Sequence, residues 1–152
     1  MLLVLFNIGT ERFGLDAQDL VEILPAVALR PVYGMPTCVV GLLLYQATLV
    51  PIIDVSLLAT GQPCERRLST RILLTPYRAG PPGACVGLRV DGANDAENVN
   101  PADFITTGLT APEPPYFGAV LRRGLETVQL VKLEQLLPEA VRACLFVQAP
   151  AA

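Results

Sequence analysis

The chain has 152 residues, 52% apolar and 16% charged, with a net charge of −3 and no histidine. One domain fits that length, and area scaling removes roughly 68–70% of the unfolded surface on folding, enough for a sizeable core or two small linked ones. The acidic balance offers no basic stripe for nucleic acid, and the missing histidine excludes Ser-His-Asp and Cys-His catalysis.

The charge content lies below the usual ~25%, which suggests that some apolar surface faces partners. Arg66-Arg67 and Arg122-Arg123 are isolated pairs and read as solvated turn residues. Cys38, Cys64, Cys85 and Cys144 are far apart with no C-x-x-C spacing, so buried free thiols are expected rather than a zinc site.

In chain order, "MLLVLFNIG" lacks a basic leader and meets Glu11 and Arg12 at once, so it reads as a strand and not a signal peptide. A turn through Thr10-Glu11 leads to "RFGLDA", completing a hairpin. Asp16 can cap a single helical turn. Leu20 to Leu24 then reads as a strand, with Leu20, Glu22 and Leu24 on one face and Val21 and Ile23 on the other. "VALRPV" and a Pro-punctuated loop follow.

Residues 41–61, "GLLLYQATLVPIIDVSLLATG", are the least polar stretch. Pro51 and Asp54 sit inside it and Gln46-Ala47-Thr48 breaks it as a turn would, which argues against a membrane span. "VVGLLLY" and "TLVPIID" are instead two strands, apolar in successive positions as in strands covered on both faces. Pro51 cannot donate to a ladder, so its strand lies at an edge or bulges there. Asp54 is placed to cap "VSLLAT", which Gly61 closes.

"GQPCERRLST" is a polar break, followed by the strand "RILLTPY", the turn "AGPPG" and the strand "ACVGLRVDGA". "AENV" reads as a further short strand and "NPADF" as a turn, then "GLTAPEPPY" as a Pro-rich loop. "FGAVLR" and "ETVQLV" form a last hairpin about an Arg-Gly turn. The chain closes in helix, "KLEQLL" and then "PEAVRACLF" with Pro138 in the first turn. About ten short strands and two or three short helices imply a mostly antiparallel, barrel-like all-β body.

"LVPIIDVS" and "VGLRVDGA" both end an apolar run in Asp, as the paired carboxylates of an aspartic protease would. Neither continues as Asp-Thr/Ser-Gly, and Asp54 is better read as a helix cap and Asp91-Gly92 as a strand-end turn. No phosphate loop, dinucleotide fingerprint, carboxylate metal cluster or nucleophile elbow is present. A non-enzyme is expected. The alternatives are a nucleic-acid-binding small barrel, disfavoured by the acidic balance, and a carboxylate-dependent hydrolase.

The order of "FNIGTERFGLDAQDLVEIL", "VVGLLLYQATLVPIIDVSLLATG", "RILLT", "VGLRVDGANDAENVNPADF" and "VQLVKLEQLL" resembles the CheW-like family of chemotaxis coupling proteins, over about residues 2 to 138. The resemblance implies a mainly all-β fold of two packed five-stranded SH3-like barrels over an apolar seam, with short helices and a C-terminal helix. It implies a single domain over residues 1–149 with 150–152 as a tail. It implies no enzymatic activity, no cofactor and a cytoplasmic adaptor recruited to membrane receptor arrays. The partners it implies are the regulatory domain of a CheA-type histidine kinase, docked on one barrel, and the cytoplasmic tip of a methyl-accepting chemoreceptor, received in the groove between barrels. Neither nucleic acid nor membrane insertion enters that role.

Residue by residue, Glu22 matches the family's acidic partner-binding position and Leu20 an apolar receptor-contact position. Gly41 matches a glycine where partner backbone approaches closely. Gly87, Ala93 and Ala96 match positions along the second apolar-Asp strand that influence partner binding. The hairpin turn departs from the family. Where Asn-Leu-Arg-Gly is usual, this chain has Leu44-Tyr45-Gln46-Ala47. Gln46 replaces a charged planar fork and Ala47 a turn glycine, so a specialised receptor or kinase and an altered turn are expected. The closing "LLPEAVRACLF" extends past the minimal family core and is similar to coupling proteins of accessory chemosensory systems.

Overall fold

The computed structural model describes residues 1–65, 67–112, 114–115 and 118–146, and in it the apolar runs become ten strands. In chain order these are β1 (Leu2–Ile8), β2 (Glu11–Asp16), β3 (Glu22–Pro25), β4 (Val39–Tyr45), β5 (Thr48–Asp54), β6 (Thr70–Pro76), β7 (Cys85–Asn98), β8 (Phe104–Ile105), β9 (Val120–Arg123) and β10 (Glu126–Val131). Three short helices follow β5 and β10: α1 (Val55–Thr60), α2 (Leu133–Leu136) and α3 (Glu139–Arg142).

The strands divide between two lobes that share β7. Cys85 to Asp91 pairs with β6, which pairs with β3, while β5 lies parallel on the other side of β7 and carries β4. Arg30 and Leu42 then exchange both backbone bonds, each at 2.9 Å, and close this first lobe into a five-stranded ring. Asp91 to Asn98 instead pairs with β1, and the second lobe continues through β2, β10, β9 and β8.

The unbroken apolar runs follow from burial on both faces. In β1, Leu3 and Leu5 fill the second lobe, whereas Val4, Phe6 and Ile8 face the seam between lobes. In β5 and β6, Val50, Ile52, Ile72 and Leu74 fill the first lobe, whereas Ile53 and Leu73 face the same seam. Strands with one face in a lobe and the other in a seam have no polar side to alternate with. Leu133, Leu136, Leu137, Val141 and Leu145 from α2, α3 and the segment after it complete the seam.

The mainly all-β fold with short helices is as the sequence implied, and several local readings need correction. "ACVGLRVDGA" and "AENV" are one strand of 14 residues, so Asp91-Gly92 is not a strand end. Gly92 (φ +70°) marks the irregularity where the β1 register shifts between Leu5 and Asn7. Leu20 precedes β3 and ends a 3-10 turn over Ala17–Asp19 capped by Asp16. Leu20 packs on the seam and Leu24 in the first lobe, so they do not share a face. "VALRPV" joins the sheet only through the Arg30 bridge while Leu29 and Val32 pack on the cores, and Pro138 stands just before α3. Of the four free cysteines only Cys38 is buried.

Pro51 is accommodated for a specific reason. It faces Leu42, whose N–H and C=O are both turned to Arg30, so no N–H is required from Pro51. Pairing of β5 with β7 begins only at Ile52.

Candidate partner-binding site

The β4–β5 hairpin is buried at its base and exposed at its tip. Gln46 (φ +46°) and Ala47 (φ +65°) are both left-handed, the backbone of a two-residue mirror-image turn whose twist suits a hairpin. Alanine in that region carries steric strain that glycine would not. Leu44 and Leu49 are register partners just behind the turn, 68% and 50% exposed. A cross-strand apolar pair left in water adds little to the core.

The hairpin tip is tied to β3. The Tyr45 hydroxyl donates to the Glu22 carboxylate, and the Gln46 amide donates to the Tyr45 oxygen at 3.4 Å. The bond to Glu22 raises the Tyr45 pKa above the ordinary phenol value, since losing that proton would set two anions together. Tyr45 also packs its ring on the first-lobe core, so a polar chain of three groups stands on an apolar base.

This arrangement brings Glu22 and Gln46 together through Tyr45. The other residues singled out from the sequence lie elsewhere. Leu20 is half-buried against the seam. Gly41 is buried, and a Cβ there would sit 2.6 Å from Leu29 Cβ and 2.9 Å from the Arg30 carbonyl oxygen. The backbone that approaches it is the chain's own. At Gly87 a Cβ would strike Ile52 and Ile72 inside the first lobe, and Ala93 is seam core. Ala96 is exposed on β7, opposite Val4 in the second lobe. The sequence reading missed Tyr45 as the link and Leu44 and Leu49 as the exposed pair. The two-residue turn was the available signal, because it fixes which side chains share a face.

A second feature lies where the seam reaches the surface. An apolar groove of about 200 Å3 runs between Val32 and Met35 on one loop, Leu42, Leu49 and Pro51 on the hairpin, and Cys144 to Phe146. No charged residue lines it.

The two aspartates of the hydrolase alternative hold structure. Asp54 is fully buried and accepts from Leu57 N at 3.1 Å, Cys64 N at 2.9 Å and the Arg89 guanidinium at 2.9 Å. These bonds cap α1 and anchor the loop after it, which commits both oxygens. Asp91 accepts from the Ser69 hydroxyl at 2.5 Å, with Arg67 3.9 Å away. Burial, with Asp54 and Asp91 nearby, pushes the Cys64 thiol up to about 11, so at neutral pH it is not a thiolate nucleophile. Among the described residues no group of His, Cys, Asp or Glu could hold a metal ion, and no helix is long and apolar enough to cross a membrane.

The sequence matches the CheW-like domain over residues 2–141. The chain belongs to the CheW-like family. No curated protein matches its sequence at a significant level. Among solved structures it is similar to the scaffolding protein TtCheW from Thermoanaerobacter tengcongensis, with a TM-score of 0.70 and 19% identity over 87% of this chain and 84% of that one. At that identity the likeness is one of fold. In this CheW-like chain the family match ends at Val141, so Cys144 to Phe146 of the groove wall lie outside it.

Proposed function

We propose that this CheW-like protein is a non-catalytic adaptor that couples the cytoplasmic tip of a methyl-accepting chemoreceptor to the regulatory domain of a CheA-type histidine kinase. The observation that carries the reading is the hairpin tip, where the exposed Leu44–Leu49 pair stands beside the Glu22–Tyr45–Gln46 chain. An adaptor needs complementary surface and no reacting group, and a few anchors with a polar rim supply most of such binding. In this reading the kinase barrel docks on the hairpin tip and the receptor helix lies in the groove at the seam. Recruitment to a cytoplasmic receptor array follows from holding both partners. Gln46 in place of the usual arginine makes the tip neutral at its apex, which suits a partner lacking the matching acid.

The test is Glu22→Arg. It breaks the bond from Tyr45 and places a cation where an acceptor stood, on an exposed residue. Capture of a cognate kinase regulatory fragment is expected to fall at least ~10-fold, about 1.4 kcal/mol, with melting unchanged. Full binding by the folded variant would remove the hairpin tip from the interface. Gly41→Asp is unsuited to this purpose, because Gly41 is buried under Leu29 and Arg30 and its substitution tests folding.

A further inference from the structure

We propose that the mouth of the first lobe, at the end of its strands away from the hairpin tip, binds a small organic acid, with the carboxylate on Arg89 and Arg67 and an aliphatic body against Val27, Leu29 and Val40. The inference does not depend on the adaptor reading above.

Strand alternation places the cation. In β7, Leu88 belongs to the seam, whereas Gly87 lies against Ile52 and Ile72 inside the first lobe. Arg89, two residues on, shares the face of Gly87 and pairs with Asp54 where Gly87 pairs with Ile52. It therefore stands where the apolar filling of the lobe ends. A cavity of about 640 Å3 opens there, walled by Val27, Leu29, Pro31 and Val40 and rimmed by Arg67 and Leu68. Leu29 and Val40 also pack on the first-lobe core, so the cavity is continuous with it. Its volume lies within the ~300–1,000 Å3 of small-molecule sites, for which the mouth of a β-barrel is a preferred place.

The polar groups of the cavity select an acid. Its described lining holds two cations, Arg67 and Arg89, and no carboxylate. Arg89 is fixed in place, its side chain 14% exposed, by a 2.9 Å bond to the buried Asp54. Asp54 is shared among three donors, and among the described residues Arg89 makes no further hydrogen bond, its buried Nε included. A guanidinium carries five N–H donors in a planar fork, so Arg89 keeps donors for a second carboxylate. Arg67 is paired with Glu65, but both side chains are more than half exposed, and such surface pairs hold weakly. Asp91 lies 3.9 Å from Arg67 and is bonded instead to the Ser69 hydroxyl. The Thr70 hydroxyl is committed, donating to the Glu65 carbonyl and accepting from Arg67 N–H. Because Asp54 already offsets one of the two cations, the site suits a monoanion and not a phosphate dianion.

The experiment follows the backbone amide signals of the whole chain on titration with hexanoate, with acetate and hexanamide as controls that lack the body and the charge. Hexanoate is expected to shift the Val27, Leu68 and Arg89 signals saturably, at least ~10-fold more tightly than acetate and ~5-fold more tightly than hexanamide. Arg67→Gln and Val27→Glu change exposed residues, so both variants are expected to melt with the wild type. The first is expected to weaken hexanoate at least ~3-fold, and the second, which puts a like charge at the rim, at least ~10-fold. Equal binding of hexanamide, shifts that fall elsewhere on the surface, or hexanoate affinity unchanged in both variants overturns the inference, as does a wild-type spectrum that hexanoate leaves unmoved.

Discussion

The two lobes share a strand and a seam and present different surfaces. The first closes its ring through Arg30 and Leu42, then leaves Ile23, Leu44 and Leu49 facing outward. The second is rimmed by ion pairs, Arg12 with Asp95 at 3.0 Å and Arg123 with Glu97, around a polar cleft that also holds Glu126. Exposed pairs of this kind add at most about 1 kcal/mol each and chiefly keep a surface wet. Leu2, Ile105 and Leu125 of the second lobe also face water, so the contrast is one of arrangement, an apolar hairpin tip in one lobe and a charged cleft in the other. The first lobe depends on its internal framework, because the outward apolar groups of its hairpin tip contribute nothing to its own core.

Three substitutions probe that framework, and the largest effect belongs to Asp54→Ala. It uncaps α1, frees the Cys64 amide and leaves Arg89 without its carboxylate in a largely buried position. Breaking one side of a buried pair costs about 3–5 kcal/mol, to be read from denaturant midpoints. A loss below about 1 kcal/mol would show that the first lobe is held by something else. Gly41→Ala is next. Its new methyl meets Leu29 and the Arg30 backbone at the ring closure, and overpacking of this kind costs about 1–3 kcal/mol. A neutral result would mean that the ring opens there at no expense. The smallest effect has the opposite sign. Ala47→Gly relieves the left-handed alanine in the turn and is expected to stabilise by about 1 kcal/mol, seen as a raised melting temperature. Destabilisation would mean that the turn is not strained.

Much of this fold was legible in the sequence because burial on both faces leaves a plain mark. The runs "VVGLLLY" and "TLVPIID" have no polar alternation, and the structure gives each of them two covered faces at the hairpin base. Asp54 and Gly61 declared the ends of α1 by residue type alone. Asp91-Gly92 misled because a bulge within a long strand and a turn at a strand's end call for the same residues. The site was less legible. Glu22 and Gln46 were picked out, but the bond that joins them depends on the fold bringing β3 beside the hairpin turn. Gly41 reads as a point of close approach and Gly87 as a position that influences partner binding, and neither residue shows what lies against it. At both positions the nearby atoms belong to the chain itself.

The shared strand has one more consequence. β7 runs for 14 residues, roughly 46 Å at ~3.3 Å per residue, with its two ends built into different lobes. No loop interrupts it. Near Asp91 the ladder passes from β6 to β1 and the strand bulges at Gly92, so the lobes are joined by one covalent strand and not by one ladder. A single bulged strand thus stands where a two-lobed protein could have had a linker.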